Sequence, residues 1–531
     1  MCGIFLIFSK EGSFEKEKFI QILSNFNLLS SRGPDKFLAE HVTLSNSKNC
    51  MIGFHRLAIN DVSENGMQPF FNKNIYTMCN GEIYNYHDLK SQYEDFNPKS
   101  KSDCEILPYL FENFSFEESL KKIDGVFAIC ELNIDKNTIK IARDRIGVKP
   151  VFYAENDQFF AISSEVKSLT GLFEDIQQLE PSCNMTFSCD TYEKTKSFYT
   201  SLEDFPLHEN NYDFCVSKIH DLLVNSVKKR MISDREIGCL LSGGLDSSLV
   251  SSILSKELKK KGQKLHTFSI GFPDSTDIIY ARKVAEYIDS EHHEYIIQYE
   301  DALKEIENVI KTIETYDTTT IRASTPMYML CKWITSNFPH KVIFSGEGSD
   351  ELLCGYLYFH KAPSSQDAHN DSFRLMKELY KYDVLRADRC TAGNGLEFRE
   401  PFLDKELVDF VLKMNPDYKI PREGYEKEIL RKAFSQDYLP DSVLWRRKAA
   451  FSDAVSSSEK PWYKWIQEYV ENNVKDVSDY GGTLESSYYK TLFYQNFKGY
   501  NPNIPLWLPR WSNVGNEPSA TVLDIYKKEE H

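Results

Sequence analysis

Apolar and polar positions follow two different rhythms along this chain. In the first two hundred residues the apolar positions come in short runs broken by polar turns. These runs are Gly3 to Phe8, Met51 to His55, Ile75 to Cys79, Phe127 to Leu132, Thr138 to Arg143, Val151 to Ala154 and Phe159 to Ser163. Runs of this length between turn residues predict strands. Helical spacing appears at Lys16 to Leu28, at Tyr86 to Gln92, and at Cys104 to Phe114 with Asp103 as its cap. Many short strands around a few helices predict a sandwich of two sheet layers.

Beyond the polar, acidic stretch Ser201 to Asn211, which reads as a linker, the rhythm changes. Asp213 to Met231 predicts a long helix. Strand and helix then alternate. Strands are expected at Ile237 to Leu241, Leu265 to Gly271, His292 to Ile297 and Lys341 to Ser345. Helices are expected at Leu249 to Lys260, Ile278 to Ile288, Asp301 to Thr315 and Met327 to Asn337. Such alternation predicts a parallel sheet covered on both faces. From Asp371 onward the pattern is mostly helical, His360 to Asn370 reads as a loop, and the last ten residues read as a tail.

A chain of 531 residues is too long for one core, so two or three domains are expected. A formal charge of −16 argues against a general binder of nucleic acid or anionic membranes. The twelve cysteines include no CxxC pair, so structural zinc and iron–sulfur clusters find little support. No apolar run approaches a membrane span, and no secretion signal is evident. A reduced, cytosolic protein is expected.

Two motifs hold the chemistry. The first is Met1-Cys2-Gly3. On loss of the methionine, Cys2 carries both a thiol nucleophile and an α-amine able to take its proton, which suits attack on an amide. The second is Leu241-Ser242-Gly243-Gly244-Leu245-Asp246-Ser247-Ser248, between a strand and a helix. Its glycines allow close approach to an anion, and its serines and the helix start supply donors. It matches neither GxxxxGK[ST] nor GxGxxG.

Further residues gain meaning beside these. Asn80-Gly81 after a strand offers an amide and an N–H for an oxyanion. Arg56 would hold an α-carboxylate and Asp103 an α-ammonium. Ser345-Gly346-Glu347-Gly348-Ser349-Asp350-Glu351 follows another strand, so Asp246 and Asp350 would share magnesium at one sheet edge. Asp277 and the basic run Trp445-Arg446-Arg447-Lys448 are candidates near phosphate.

Met1-Cys2-Gly3-Ile4, Arg32-Gly33-Pro34-Asp35, Asn80-Gly81-Glu82-Ile83-Tyr84-Asn85 and Asp144 to Pro150 resemble a class II glutamine amidotransferase domain. The loop Ser242 to Ser247 resembles the pyrophosphate loop of ATP pyrophosphatases. Glu314 to Asp317, Thr320 to Pro326, Ser345 to Glu351, Gly395-Leu396-Glu397 and Pro401 to Asp404 resemble the glutamine-hydrolysing asparagine synthetases. A phosphoribosylpyrophosphate amidotransferase would share only the first of these regions, and a β-lactam-forming synthetase normally lacks the cysteine.

The resemblance implies an α+β N-terminal nucleophile αββα sandwich over residues 2–200 and a linker over 201–212. It further implies an α/β parallel-sheet nucleotide-binding domain with a helical C-terminal region over 213–515, then a tail over 516–531. It implies Cys2 as nucleophile, Asn80 and Gly81 as oxyanion hole, and Arg56, Asn80, Glu82 and Asp103 as glutamine-binding residues. ATP and its pyrophosphate fall to Leu241, Ser242, Gly243, Gly244, Asp246, Ser247, Ile270, Ser345, Gly346 and Lys448, with Mg2+ on Asp246 and Asp350. Glu347 is implied as the acid that deprotonates ammonia, Lys448 as a stabiliser of adenylation, and Thr320 and Arg322 as part of the aspartate and pyrophosphate region. Glutamine, aspartate and ATP are the implied partners; nucleic acid and membrane are not, and a homodimer is left open. The sequence departs from the family pattern at Cys390 to Asn394, at Ala449-Ala450-Phe451 and in His360 to Asn370.

Overall fold

The computed structural model describes residues 1–202, 207–273, 275–448, 455–456, 460–475, 477–512, 515 and 517–519. Part of the expected linker, Ala449-Ala450-Phe451 and the last ten residues lie outside them.

The first half forms two antiparallel sheets. One has the order β10 (Ile176–Gln178), β8 (Phe152–Glu155), β9 (Phe159–Ser163), β1 (Gly3–Ser9), β3 (Asn49–Arg56) and β2 (Lys36–Thr43). The other has the order β12 (Lys194–Phe198), β11 (Cys183–Ser188), β7 (Thr138–Arg143), β6 (Gly125–Asn133), β5 (Ile75–Ile83) and β4 (Phe70–Asn72). Strand alternation sorts the apolar residues into layers. Ile4, Leu6 and Phe8 of β1 face Met78, Ala128 and Cys130 of the other sheet. Phe5 and Ile7 point the other way, onto Ile22 and Phe26 of the helix Lys16–Asn27. Beyond the second sheet, Cys79 and Ile129 pack on Leu107 and Leu110 of the helix Ile106–Asn113. This is the expected αββα sandwich.

The second half holds a five-stranded parallel sheet in the order β15 (Glu291–Ile296), β14 (His266–Gly271), β13 (Ile237–Leu240), β16 (Val342–Phe344) and β17 (Glu397–Arg399). The chain winds outward from β13 through β14 to β15, then crosses to β16 on β13's other side. The switch point therefore lies between β13 and β16, and a crevice opens there at the carboxyl ends of the strands.

Four expectations change. Asn80, Gly81 and Glu82 lie inside β5 rather than after it, because their backbone pairs with Val126, Phe127 and Ala128 of β6. Asp103 does not cap a helix: it opens the short 3-10 turn Asp103–Glu105, and its carboxylate accepts from Ile83 N–H at 2.6 Å and Asn60 Nδ2 at 3.1 Å. Most of the expected loop His360 to Asn370 is ordered as helix. Leu357–Lys361 is a 3-10 turn, and the helix Ser365–Glu378 starts where the Ser364 side chain accepts from Asp367 N–H. The helix expected from Met327 begins at Thr318, where Asp317 accepts from Thr320 N–H at 2.8 Å, and it continues through Pro326 to Asn337.

The two halves share apolar packing and buried ion pairs. Leu57, Tyr84 and Val148 join one cluster with Leu223 and Leu403. Arg32 reaches Glu165 at 2.8 Å and Asp388 at 3.2 Å, and Arg389 reaches Glu314 at 2.7 Å, whose carboxylate accepts from Val166 and Lys167 N–H. Breaking such a buried pair from one side leaves an uncompensated charge, at a cost of about 3–5 kcal/mol.

Candidate active site

Cys2 leads directly into β1, beside β3 and close to β5. Its backbone N–H donates to Asn80 Oδ1 at 2.9 Å, and its Sγ lies 3.8 Å from Leu57 O. Because Asn80 Oδ1 is engaged, its amide orientation is set. Its Nδ2 is buried and has no partner within the protein. A buried donor without an acceptor is costly in a native fold, so this one is suited to an oxyanion that arrives with substrate. Burial pushes the Cys2 thiol up. The α-ammonium here belongs to buried Met1, 3.7 Å from Glu397 Oε2.

Arg56 lies close enough to Cys2 for their charges to interact, and Glu82 and Asp103 lie beside each other. Arg56, at the end of β3, donates to Ser63 O at 2.6 Å and to Asp61 O. Asn60 Nδ2 bridges Glu82 at 2.7 Å and Asp103 at 3.1 Å. Burial raises both carboxyls, Glu82 strongly, against the nearby Arg399 and, for Asp103, against its N–H donors. Two desolvated acids that lack full counter-charge favour an incoming ammonium group. Sequence reading missed Asn60 and Arg399. Arg399 lies in β17 of the other half and reaches Glu82 at 3.1 Å and Glu397 at 2.5 Å. Nothing near Arg399 in sequence marks it as a neighbour of Glu82.

The second site lies in the crevice at the switch point, a cavity of about 220 Å³. The loop after β13 and the loop after β16 meet across it. Gly346 approaches so closely that a side chain would run into Ser247 N and Asp246 at 2.7–2.8 Å. Gly243 has φ +70, and a side chain there would meet Ala281 N at 2.5 Å. Ser242 and Ser247 hydroxyls lie 3.0 Å apart. The helix Leu245–Lys260 starts at Gly244 with no side-chain cap, which leaves its first N–H groups facing the crevice.

Asp246 and Asp350 come together, as expected, but a lysine lies between them. Lys427 Nζ is 2.6 Å from Asp246 Oδ2 and 2.7 Å from Asp350 Oδ1, and Lys448 Nζ is 2.5 Å from Asp350 Oδ2. Burial works to raise the Asp350 carboxyl, but the two ammonium groups hold it well below its usual range. Lys427 was not picked out from the sequence: it stands in a left-handed turn (φ 53) before a short helix, and Tyr425-Glu426-Lys427 shows no motif. The two carboxylates are a hard-oxygen donor set that would suit magnesium alongside phosphate oxygens, which would require the Lys427 ammonium now between them to move aside.

Leu241, Ile270, Ser345, Glu347 and Thr320 also line the crevice. Glu347 accepts from Arg386 Nη2 at 2.8 Å, and Arg386 is also paired with Asp383 at 2.5 Å. Burial raises the Glu347 carboxyl, and Arg386 opposes it. Asp277, pushed up to about 6 by burial, pairs with Arg446 at 3.1 Å. Arg322 is not among the lining residues. Its guanidinium is held by Glu485 at 2.6 Å and Glu517 at 2.5 Å, and Trp462 donates to its carbonyl. Gly243 likewise stands behind the lining, its carbonyl accepting from Arg446.

Sequence comparison agrees with both halves. The family described as "Glutamine amidotransferase domain" matches residues 1–212, and that described as "Asparagine synthase" matches 218–374 and 364–507. A Bos taurus protein named "Asparagine synthetase [glutamine-hydrolyzing]" is 40% identical over 566 aligned positions, covering 99% of each chain. A Homo sapiens protein of the same name shows the same identity and coverage. A solved glutamine phosphoribosylpyrophosphate amidotransferase from B. subtilis is 13% identical, with a TM-score of 0.31 over 56% of this chain and 81% of that one, too distant to bear on function. With both of its halves matched and full-length relatives at this identity, the chain belongs to the glutamine-hydrolysing asparagine synthetase family.

Proposed function

We propose that this chain converts aspartate to asparagine at the expense of ATP, with nitrogen released from glutamine at its own Cys2 site. The observation that supports this most is the pairing, in one chain, of an orphaned Asn80 amide beside Cys2 with two glycine loops at a sheet switch point. We assign residues 2–200 to glutamine hydrolysis and 213–515 to synthesis.

In the first half-site, Arg56 would hold the glutamine α-carboxylate, and Glu82 and Asp103 its α-ammonium. The Cys2 sulfur attacks the side-chain carboxamide, its proton passing to the α-amine exposed by loss of Met1. The oxyanion is met by Asn80 Nδ2 and Gly81 N–H. Ammonia leaves, and water releases glutamate from the thioester. Asn80→Ala removes the donor, so glutamate release should fall about 10²–10³-fold while ammonia-dependent asparagine formation stays unchanged. Assays of glutamate and asparagine on one preparation test this; an equal loss of both would make Asn80 a residue of general stability.

In the second half-site, an aspartate side-chain oxygen attacks the α-phosphorus of ATP, forming β-aspartyl-AMP and releasing pyrophosphate. Ser242, Gly244, Ser247 and the helix start would cradle the phosphates, with Ile270, Ser345 and Gly346 beside the nucleotide. Mg2+, held by Asp246 and Asp350, would neutralise pyrophosphate as it leaves. Lys448 stabilises charge on the phosphates, and Lys427 is placed to follow the same charge. Ammonia then attacks the acyl carbon, AMP departs, and Glu347 takes the proton shed by nitrogen. Thr320, which lines the crevice, would belong to the aspartate and pyrophosphate region; Arg322 would act there only through the helix it anchors.

The decisive assay supplies ATP, magnesium, aspartate and either glutamine or ammonium chloride. Asparagine should appear with stoichiometric AMP and pyrophosphate. Stoichiometric ADP would rule out the adenylate route. All twelve cysteines are free in the structure, which suits a reducing compartment, and we place the protein in the cytosol. Among the described residues no helix is long and apolar enough to cross a membrane.

A further inference from the structure

The parallel sheet has a second end, opposite the nucleotide crevice. There β14 begins at His266 and β15 at Glu291, and these two residues are register partners. His293 follows two positions along β15 and so shares the face of Glu291. His266 Nδ1 lies 3.0 Å from His293 Nε2. The Glu291 carboxylate lies 3.5 Å from His266 Nε2 and 3.8 Å from His293 Nε2. One donor atom from each of the three residues falls within 4.8 Å of the other two.

We propose that His266, Glu291 and His293 bind a divalent transition-metal ion of the zinc class. Two imidazoles and a carboxylate match that ion's ligand preference and do not match magnesium, which takes oxygen donors. A tetrahedral ion with bonds of about 2.0–2.1 Å sets its donors about 3.4 Å apart. With His293 Nε2 as donor, its separations from His266 Nδ1 (3.0 Å) and the Glu291 carboxylate (3.8 Å) bracket that value, and the third pair lies within 4.8 Å.

The surroundings favour a metal over a mere surface cluster. Phe268 and Phe338 wall the His293 ring, at centroid distances of 5.2 and 4.5 Å. His340, just before β16, packs its ring 4.5 Å from that of His266, and its buried Nδ1 has no protein partner. Side-chain exposures of 26% for His266 and 55% for Glu291 leave an entry path and a fourth position open to water. The bound ion would tie the edge strand β15 to β14, far along the strands from the ATP loops.

The test uses the full-length enzyme, stripped with a chelator and dialysed. Zinc titration by calorimetry should show one equivalent bound, and cobalt should give the visible absorption of a tetrahedral site. Zinc should also raise the thermal midpoint, since an ion bound only by the native state stabilises it. His293→Ala and His266→Ala should each lose the equivalent, the cobalt bands and the thermal shift. Glu291→Gln, at an exposed position, guards against misfolding: it should weaken zinc binding while far-UV circular dichroism and pyrophosphate exchange stay unchanged. The proposal fails if the stripped enzyme binds no zinc, or if the equivalent survives both histidine variants. It fails equally if Cys2→Ala is what removes the ion.

Discussion

Cys2→Ala is expected to lower glutamine-dependent asparagine formation by about 10⁴-fold or more while ammonia-dependent formation persists. The size is that expected for loss of a covalent nucleophile; the other cysteines are buried, Cys104 among them against Gly81 O and Asp103. The selectivity follows from placement. Among the described residues Cys2 Sγ has Leu57 O as its hydrogen-bond partner, whereas the two glycine loops assigned to ATP follow strands of the other half's sheet. Removing one sulfur leaves the Asn80 contact to the Cys2 N–H intact, so the fold should hold. Asparagine release with glutamine and with ammonium chloride, measured on one preparation, decides it. A folded variant that loses both activities equally would show that the two sites are not separable.

The second large effect is expected at Glu347. Glu347→Gln should cut asparagine formation from either donor by about 10²–10⁴-fold, the usual worth of a positioned base. β-Aspartyl-AMP formation should survive. The amide keeps the shape and can still accept from Arg386, and Arg386 keeps Asp383 as a charged partner at 2.5 Å. Exchange of labelled pyrophosphate into ATP in the presence of aspartate reports the first half-reaction alone. Normal asparagine synthesis would refute the base. Lost exchange would move Glu347 to nucleotide or magnesium binding.

The two effects rest on different kinds of legibility. Cys2, the Ser242-to-Ser247 loop and Ser345 to Glu351 stand out in sequence because each chemistry is built within a few consecutive residues. A strand, a glycine turn and a helix start make an anion site locally, and short-range pattern finds them. The same holds for the parallel sheet, since strand–helix alternation leaves few topologies open.

Asn80, Gly81 and Glu82 stand out by residue type, but their place within the strand is not legible. Their polar letters read as a turn after a strand, while pairing with β6 and a buried acceptor role keep them in β5. Asp103 was read as a cap because caps are local, but its carboxylate accepts from Ile83, twenty residues away. Glu397-Phe398-Arg399 is too short to show a period of two. It becomes a strand because β16 pairs with it, residue for residue.

The sequence by itself determined the two fold classes and the family, and it marked the motifs of both candidate sites, because each depends on neighbours close along the chain. Only the tertiary structure decided that Lys427 lies between Asp246 and Asp350, that Arg386 holds Glu347, and that Arg322 turns away to Glu485. It alone decided that Arg399 of one half reaches Glu82 of the other. These are pairings of buried charges far apart in sequence. A buried charge must find a partner, but which partner it finds is set by packing that no local pattern encodes.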